Sequence, residues 1–219
     1  MTPPPFLFDL DGTLADSLPD IAASTNHVRA AHGLPALAET AVRSFVGDGA
    51  RALLARALAE VLPPPGPAHE RALDAAFAEY GEHHQVQCTA LARLYPGAGE
   101  HLESLRARGH ALAVVTNKPA RFAVPLVAHL GIARLFGIVV GGDTLPQKKP
   151  DPAPLVHALR ALGSAVGGPG TMVGDGVQDL RAGRAAGLRT IACLFGYGDP
   201  TRLRAERADS YWRAFGEAD

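Results

Sequence analysis

Phe6-Leu7-Phe8-Asp9-Leu10-Asp11-Gly12-Thr13 is the stretch on which the reading of this chain turns. Its three apolar residues have the character of a short buried β-strand, and two carboxylates two residues apart leave the strand end together. Open α/β sheets gather their chemistry at that end of their strands. Strand side chains alternate faces, so Asp9 and Asp11 can serve one centre only if the chain bends after Asp9, and Gly12 permits such a bend. Carboxylates brought together away from water repel each other and resist desolvation, so the pair calls for a cation. The ordinary alternative is a strand end followed by an Asp-Gly turn. Partners elsewhere in the chain must distinguish the two.

Downstream, apolar runs at 111–115, 136–140, 171–174 and 190–194 read as strands. They alternate with helical patterns at 97–108, 119–130, 152–162 and 177–186. That alternation implies βαβ units and a mostly parallel sheet. The segment between carries helical patterns only, at 17–31, 39–46, 48–62 and 68–83, broken by Pro63-Pro64-Pro65-Gly66-Pro67. A lone strand at 6–8 cannot stand by itself. The helices therefore read as an insertion into an α/β core. The expected boundaries are core 1–15, helical cap 16–91 and core 92–219.

Bulk properties exclude several classes of partner. A formal charge of −1 over 219 residues gives no electrostatic reason to expect nucleic acid or an acidic membrane surface. No apolar run approaches the roughly 20 residues needed to span a bilayer, and the first residues lack a signal-peptide pattern. Cys88 and Cys193 are far apart and without metal-ligand spacing, which fits a reducing compartment. The expected location is cytoplasmic.

Three further strand ends carry chemistry. Thr116-Asn117-Lys118-Pro119 offers a hydroxyl and an N-cap ahead of a helix, a natural place for phosphate or a plain helix start. Lys148-Lys149-Pro150-Asp151-Pro152 puts a lysine just before another helix, where it meets either a phosphate oxygen or solvent. Spacing does not say which lysine points inward. Gly174-Asp175-Gly176-Val177-Gln178-Asp179 places one carboxylate at a strand end and another about one helical turn later. With Asp9 and Asp11, these form a hard oxygen set suited to Mg²⁺.

This arrangement resembles the haloacid dehalogenase-like phosphohydrolases in all four of their motifs: Asp9 to Leu14, Thr116-Asn117, Lys149 before Pro150, and Gly174-Asp175 with Asp179. The resemblance implies a Rossmann-like core, a mobile helical cap and an aspartyl-phosphate mechanism. Asp9 is then the nucleophile and Asp11 the proton carrier. Asp9, the Asp11 carbonyl and Asp175 would hold Mg²⁺. Thr116, the Asn117 backbone and Lys149 would grip the phosphoryl group beside Gly12, and Asp179 would orient Lys149 or act through water. Asp16-Ser17-x-Pro19-Asp20, Val46-Gly47-Asp48-Gly49 and Phe195-Gly196-Tyr197-Gly198 resemble the phosphoglycolate phosphatase group more closely. Thr116 to Phe122 is also similar to the N-acetylmuramic acid 6-phosphate phosphatases.

The expected substrate is a small phosphorylated metabolite. 2-Phosphoglycolate stands first, with N-acetylmuramic acid 6-phosphate, other sugar phosphates and a phosphomutase reaction as alternatives. A non-catalytic binding module fits poorly, because each residue with a chemical role is present. The cap should select the alcohol, and Gly47-Asp48-Gly49-Ala50-Arg51 is its candidate loop, with Arg51 facing the substrate or, equally, solvent. His27, His32, His83 and His84 suit a hard-oxygen metal site poorly and are expected at the surface or at helix ends. The chain is expected to be a monomer or homodimer.

Overall fold

The computed structural model describes residues 3–218. In chain order it runs β1 (Phe6–Phe8), β2 (Ala15–Asp16), then four helices: α1 (Leu18–Ala31), α2 (Glu39–Arg43), α3 (Ala50–Ala57) and α4 (Pro67–Gln87). There follow β3 (Arg93–Leu94), α5 (Ala98–Ala107), β4 (Leu112–Val115), α6 (Ala120–His129), β5 (Ile138–Val140) and α7 (Ala153–Ala161). The chain closes with β6 (Thr171–Gly174), α8 (Val177–Ala185), β7 (Arg189–Cys193), α9 (Pro200–Ala205), β8 (Ser210–Ala214) and β9 (Glu217–Ala218).

The main sheet has the order β5-β4-β1-β6-β7-β8-β9. Its first six strands are parallel, and β9 turns back antiparallel on β8. Alternation builds the two faces. Phe8, Val114 and Val173 pack with Leu102, Leu105 and Leu126 on one side, while Leu7, Ala113 and Met172 meet Leu155, Leu159 and Ala182 on the other. This is an α/β Rossmann-like core. Because β1 lies between β4 and β6, the residues following all three strands converge at one edge.

Helices α1 to α4 share a separate apolar cluster, including Ile21, Val28, Val42, Leu54, Leu73, Ala76 and Tyr80. Phe122 of α6 enters the same cluster and is fully buried there. The short antiparallel pair β2–β3 ties the entry of this helical unit to its exit. Two-residue strands are too short to show a period, so sequence reading passes over them. Asp20 reinforces the same junction: its buried carboxylate accepts from Gln87 Nε2 at 2.7 Å and from the Ala92 amide at 2.8 Å.

Helix limits differ from expectation in several places, the helix read at 39–46 being regular only over Glu39–Arg43. The helix read at 48–62 is regular only over Ala50–Ala57, and that read at 68–83 runs over Pro67–Gln87. Tyr211 and Trp212 belong to β8, and both cysteines are buried and free. Among the described residues no helix is long and apolar enough to cross a membrane.

Candidate active site

Lys149 is the electrostatic centre of the converging strand ends. Its ammonium lies 3.0 Å from Asp9 Oδ1 and 2.6 Å from Asp179 Oδ1, and it donates to the Val115 carbonyl at 2.5 Å. Burial alone would lower its pKa, but Asp179 and Asp9 outweigh that and hold it above the ordinary lysine value. Of the paired lysines, then, Lys149 points inward, while Lys148 is exposed.

Asp175, after β6, accepts from Thr13 Oγ1 at 2.9 Å and from the Tyr197 amide at 2.7 Å. Burial, followed by the charges of Asp9 and Asp179, pushes its carboxyl well above the usual carboxylate range. Burial and Asp9 push Asp179 the same way, against Lys149. Asp179 Oδ2 also accepts from the Gly176 amide at 2.9 Å, fixing the start of α8. Gly12 is required here on two counts. Its φ is +83°, and a Cβ on it would stand 2.2 Å from Asp175 Oδ2.

Asp11 faces away from this group. Ser17 Oγ donates to its Oδ1 at 2.5 Å, and Lys118 Nζ sits 3.2 and 3.3 Å from its two oxygens. Ser17 precedes α1, but its hydroxyl does not cap that helix. The Tyr197 hydroxyl takes over, accepting from the Ser17 and Leu18 amides at 2.7 and 2.9 Å. Burial, then the charge of Asp11, holds that phenol protonated far above its ordinary range.

Thr116 follows β4 and its hydroxyl accepts from the Lys118 amide at 3.2 Å. Asn117 does not cap α6, as its position suggests; Asp143 Oδ1 accepts from the Ala120 amide instead, at 2.7 Å. The Asn117 amide group is occupied otherwise. Nδ2 donates to the Gly47 and Lys149 carbonyls at 3.0 and 2.9 Å, and Oδ1 accepts from the Lys149 amide at 3.0 Å. Gln178 Nε2 reaches the same Gly47 carbonyl at 3.3 Å, and Arg43 donates to the carbonyls of Gly196 and Tyr197. The helical unit is thus drawn down onto the strand ends.

Two cavities open from Asp9 and Asp11. One, about 40 Å³, runs between Thr116, Lys118, Gly47, Ala50, Tyr80, His84 and Phe122. The other, about 600 Å³, is bordered by Arg43, Asp175, Gln178 and Tyr197. Arg51 borders neither of them. It pairs with Glu70 at 2.9 Å and Asp74 at 2.7 Å on an exposed side of α4, the solvent-facing of its two expected placements. His84 needs correction, being buried against Tyr80 and Phe122 rather than at the surface. Lys118, Arg43 and Gln178 were not singled out from sequence. For Lys118 the available signal was its place directly after a strand end beside a hydroxyl and a helix start.

The donors suit a divalent cation. Oxygens of Asp9, Asp175 and Asp179 all lie within 4.8 Å of one another, buried, with Lys149 contacting Asp9 and Asp179. Three carboxylates against one ammonium leave an excess of negative charge, and carboxylate oxygens are the ligands hard cations take.

Residues 6–193 match the family model for haloacid dehalogenase-like hydrolases, and the chain belongs to that family. A phosphoglycolate phosphatase from Chromobacterium violaceum is 42% identical over 201 residues, spanning 91% of this chain and 88% of that protein. Another, from Nitrosococcus oceani, is 39% identical over 210 residues, 95% of this chain and 91% of its own. The crystal structure of a predicted phosphoglycolate phosphatase from Haemophilus somnus 129PT superimposes with a TM-score of 0.86 at 32% identity, covering 96% of this chain and 94% of the other.

Proposed function

We propose that this chain is a Mg²⁺-dependent phosphoric monoester hydrolase acting through an aspartyl-phosphate on Asp9, with 2-phosphoglycolate as substrate. The observation that carries the reading is Asp9 itself, a buried carboxylate at the C-terminal end of the central strand, 3.0 Å from Lys149 and grouped with Asp175 and Asp179. Phosphoglycolate phosphatase relatives near 40% identity support the substrate.

Asp9 attacks phosphorus, forming a P–O bond as the ester P–O bond breaks. Asp11 gives its proton to the departing alkoxide, then takes one from the water that cleaves the acyl phosphate. Lys118 and Ser17 orient the Asp11 carboxyl for both transfers. Lys149 acts on the phosphoryl oxygens by its charge, while Thr116 and the Asn117 backbone donate hydrogen bonds. Asp179 keeps Lys149 in place. Asp9, Asp175 and the Asp11 carbonyl would hold Mg²⁺, which would supply the positive charge that lets a carboxylate approach a phosphate dianion.

The test is phosphate release with Mg²⁺ and with EDTA, comparing wild type with Asp9→Asn. The panel holds 2-phosphoglycolate, N-acetylmuramic acid 6-phosphate and hexose phosphates, with isomer formation followed for the last. Preference for 2-phosphoglycolate, lost in EDTA and in the variant, is expected. A higher kcat/KM on N-acetylmuramic acid 6-phosphate, or isomer in place of phosphate, moves the assignment to those reactions. No release from any ester removes the enzymatic reading.

A further inference from the structure

His84 has no task in the chemistry above, yet it borders the cavity shared with Asp9, Asp11, Thr116 and Lys118. It is 1% exposed. Tyr80 stacks on its ring at 4.8 Å, and Phe122 meets it edge-on at the same distance. Nδ1 lies 2.9 Å from Ser24 Oγ, whereas Nε2 has no partner among the described residues. Buried polar atoms are normally satisfied, and one left unpaired on a residue that lines a cavity is available to a ligand.

Ser24 determines what that open nitrogen can offer. Its hydroxyl has one proton and faces two imidazoles, His84 Nδ1 at 2.9 Å and His83 Nδ1 at 3.1 Å. It therefore donates to one ring and accepts from the other. When the proton points at His84, Nδ1 is the acceptor and Nε2–H becomes a donor with no acceptor among the described residues. Rotation of one hydroxyl, matched by the tautomers of two rings, sets this state. An anionic group beside the Lys118 ammonium selects it.

We propose that His84 Nε2–H donates a hydrogen bond to the carboxylate of the departing alcohol, making His84 the residue that selects hydroxy-acid phosphates over neutral alkyl phosphates. The inference rests on the phosphatase reading above and deepens it. The ring stays neutral in this role: burial, then Lys118, His83 and Arg121, lower its pKa to about 2. It recognises an anion as a dipole, and Lys118 supplies the charge. Tyr80 and Phe122 fix the ring plane, so little orientation is left to lose on binding.

Two substitutions separate recognition from packing. His84→Phe keeps a ring between Tyr80 and Phe122 but removes both nitrogens, and His84→Gln restores an amide donor. Each is compared with wild type on 2-phosphoglycolate and on ethyl phosphate, which lacks the carboxylate. The ratio of kcat/KM between the two esters should fall at least tenfold in the Phe variant, mainly through KM, and recover in part with Gln; losing a hydrogen bond to a charged group corresponds to about 10- to 100-fold. A folded Phe variant that keeps the wild-type ratio overturns the assignment of His84 and leaves the phosphatase reading intact. Wild type that shows no preference between the esters overturns the choice of 2-phosphoglycolate and, with it, this role. If the Phe variant does not fold, imidazole ¹⁵N shifts of the Asp9→Asn protein decide. Addition of 2-phosphoglycolate should move one buried neutral histidine to an Nε2–H signal with a hydrogen-bonded proton, and an unchanged spectrum at saturation refutes the proposal.

Discussion

Lys149→Met tests whether one buried cation holds the acidic cluster together. Methionine fills similar volume with no charge, so the loss is electrostatic more than steric. It leaves Asp9, Asp175 and Asp179, with oxygens within 4.8 Å of one another, and takes away the ammonium that contacts Asp9 and Asp179. It also frees the Val115 carbonyl of its lysine donor. Breaking a buried pair from one side costs about 3–5 kcal/mol. For a chain of this length each kcal/mol moves Tm by about 2–4 °C, so the variant should melt roughly 6–20 °C below wild type in EDTA. Mg²⁺ at a hundredfold excess over its Kd returns about 2.7 kcal/mol, and the variant, with more uncompensated charge, should gain at least as much as wild type. Thermal unfolding followed by far-UV circular dichroism, in EDTA and in Mg²⁺, reads both effects. A variant melting within about 2 °C of wild type in EDTA refutes the view that Lys149 neutralises the site.

Two further outcomes follow from neighbouring groups. His84 has a folded-state pKa of about 2 against an ordinary 6.5, so the unfolded chain binds its proton first and this ring's contribution to stability, full above pH 6.5, is lost as the pH falls. The loss is about 1.4 kcal/mol per pH unit, or about 2 kcal/mol at pH 5; urea unfolding of wild type and His84→Phe at pH 7 and pH 5 should differ by that amount, and parallel losses in the two proteins would contradict it. Gly12→Ala should drive Asp175 from its place, because a Cβ there meets Asp175 Oδ2 at 2.2 Å and φ is +83°. Mg²⁺ binding by calorimetry should weaken by on the order of 10- to 100-fold, with wild-type affinity showing that the carboxylate has room to move.

What could be read from the chain, and what could not, divides along sequence distance. Asp9, Asp175, Asp179, Thr116 and Lys149 were legible because each sits in a short motif at a strand end, and parallel topology brings such ends together. Arg51 and Arg43 show the limit. Both are cationic residues near the same glycine-rich loop, yet α3 packing on α4 commits Arg51 to Glu70 and Asp74, while Arg43 crosses to carbonyls more than 150 residues away. No local pattern distinguishes them. Ser17 and Asn117 show a second limit: both are good N-caps by type, but Asp11 claims the Ser17 hydroxyl and the Lys149 backbone claims the Asn117 amide. His84 was different, because Leu73, Ala76, Tyr80 and His84 recur at helical spacing on the buried face of α4. Asking only whether histidines suit a hard metal site obscured that stripe.

The arrangement around Asn117 gives a physical reason for placing specificity in the inserted helices. One side chain carries the Lys149 backbone on both its carbonyl and amide ends, and its amide also donates to Gly47 of the helical unit. The Lys149 backbone and the Gly47 loop therefore share a hydrogen-bonded hub. Phe122 makes a second link, rooted in α6 directly after the Thr116 loop but buried among the residues of α1 to α4. An alcohol that fits against His84 and Tyr80 bears on Phe122, and through it on the strand end that holds Thr116 and Lys118. Binding energy from the part of the substrate that does not react can thus be spent on aligning the part that does.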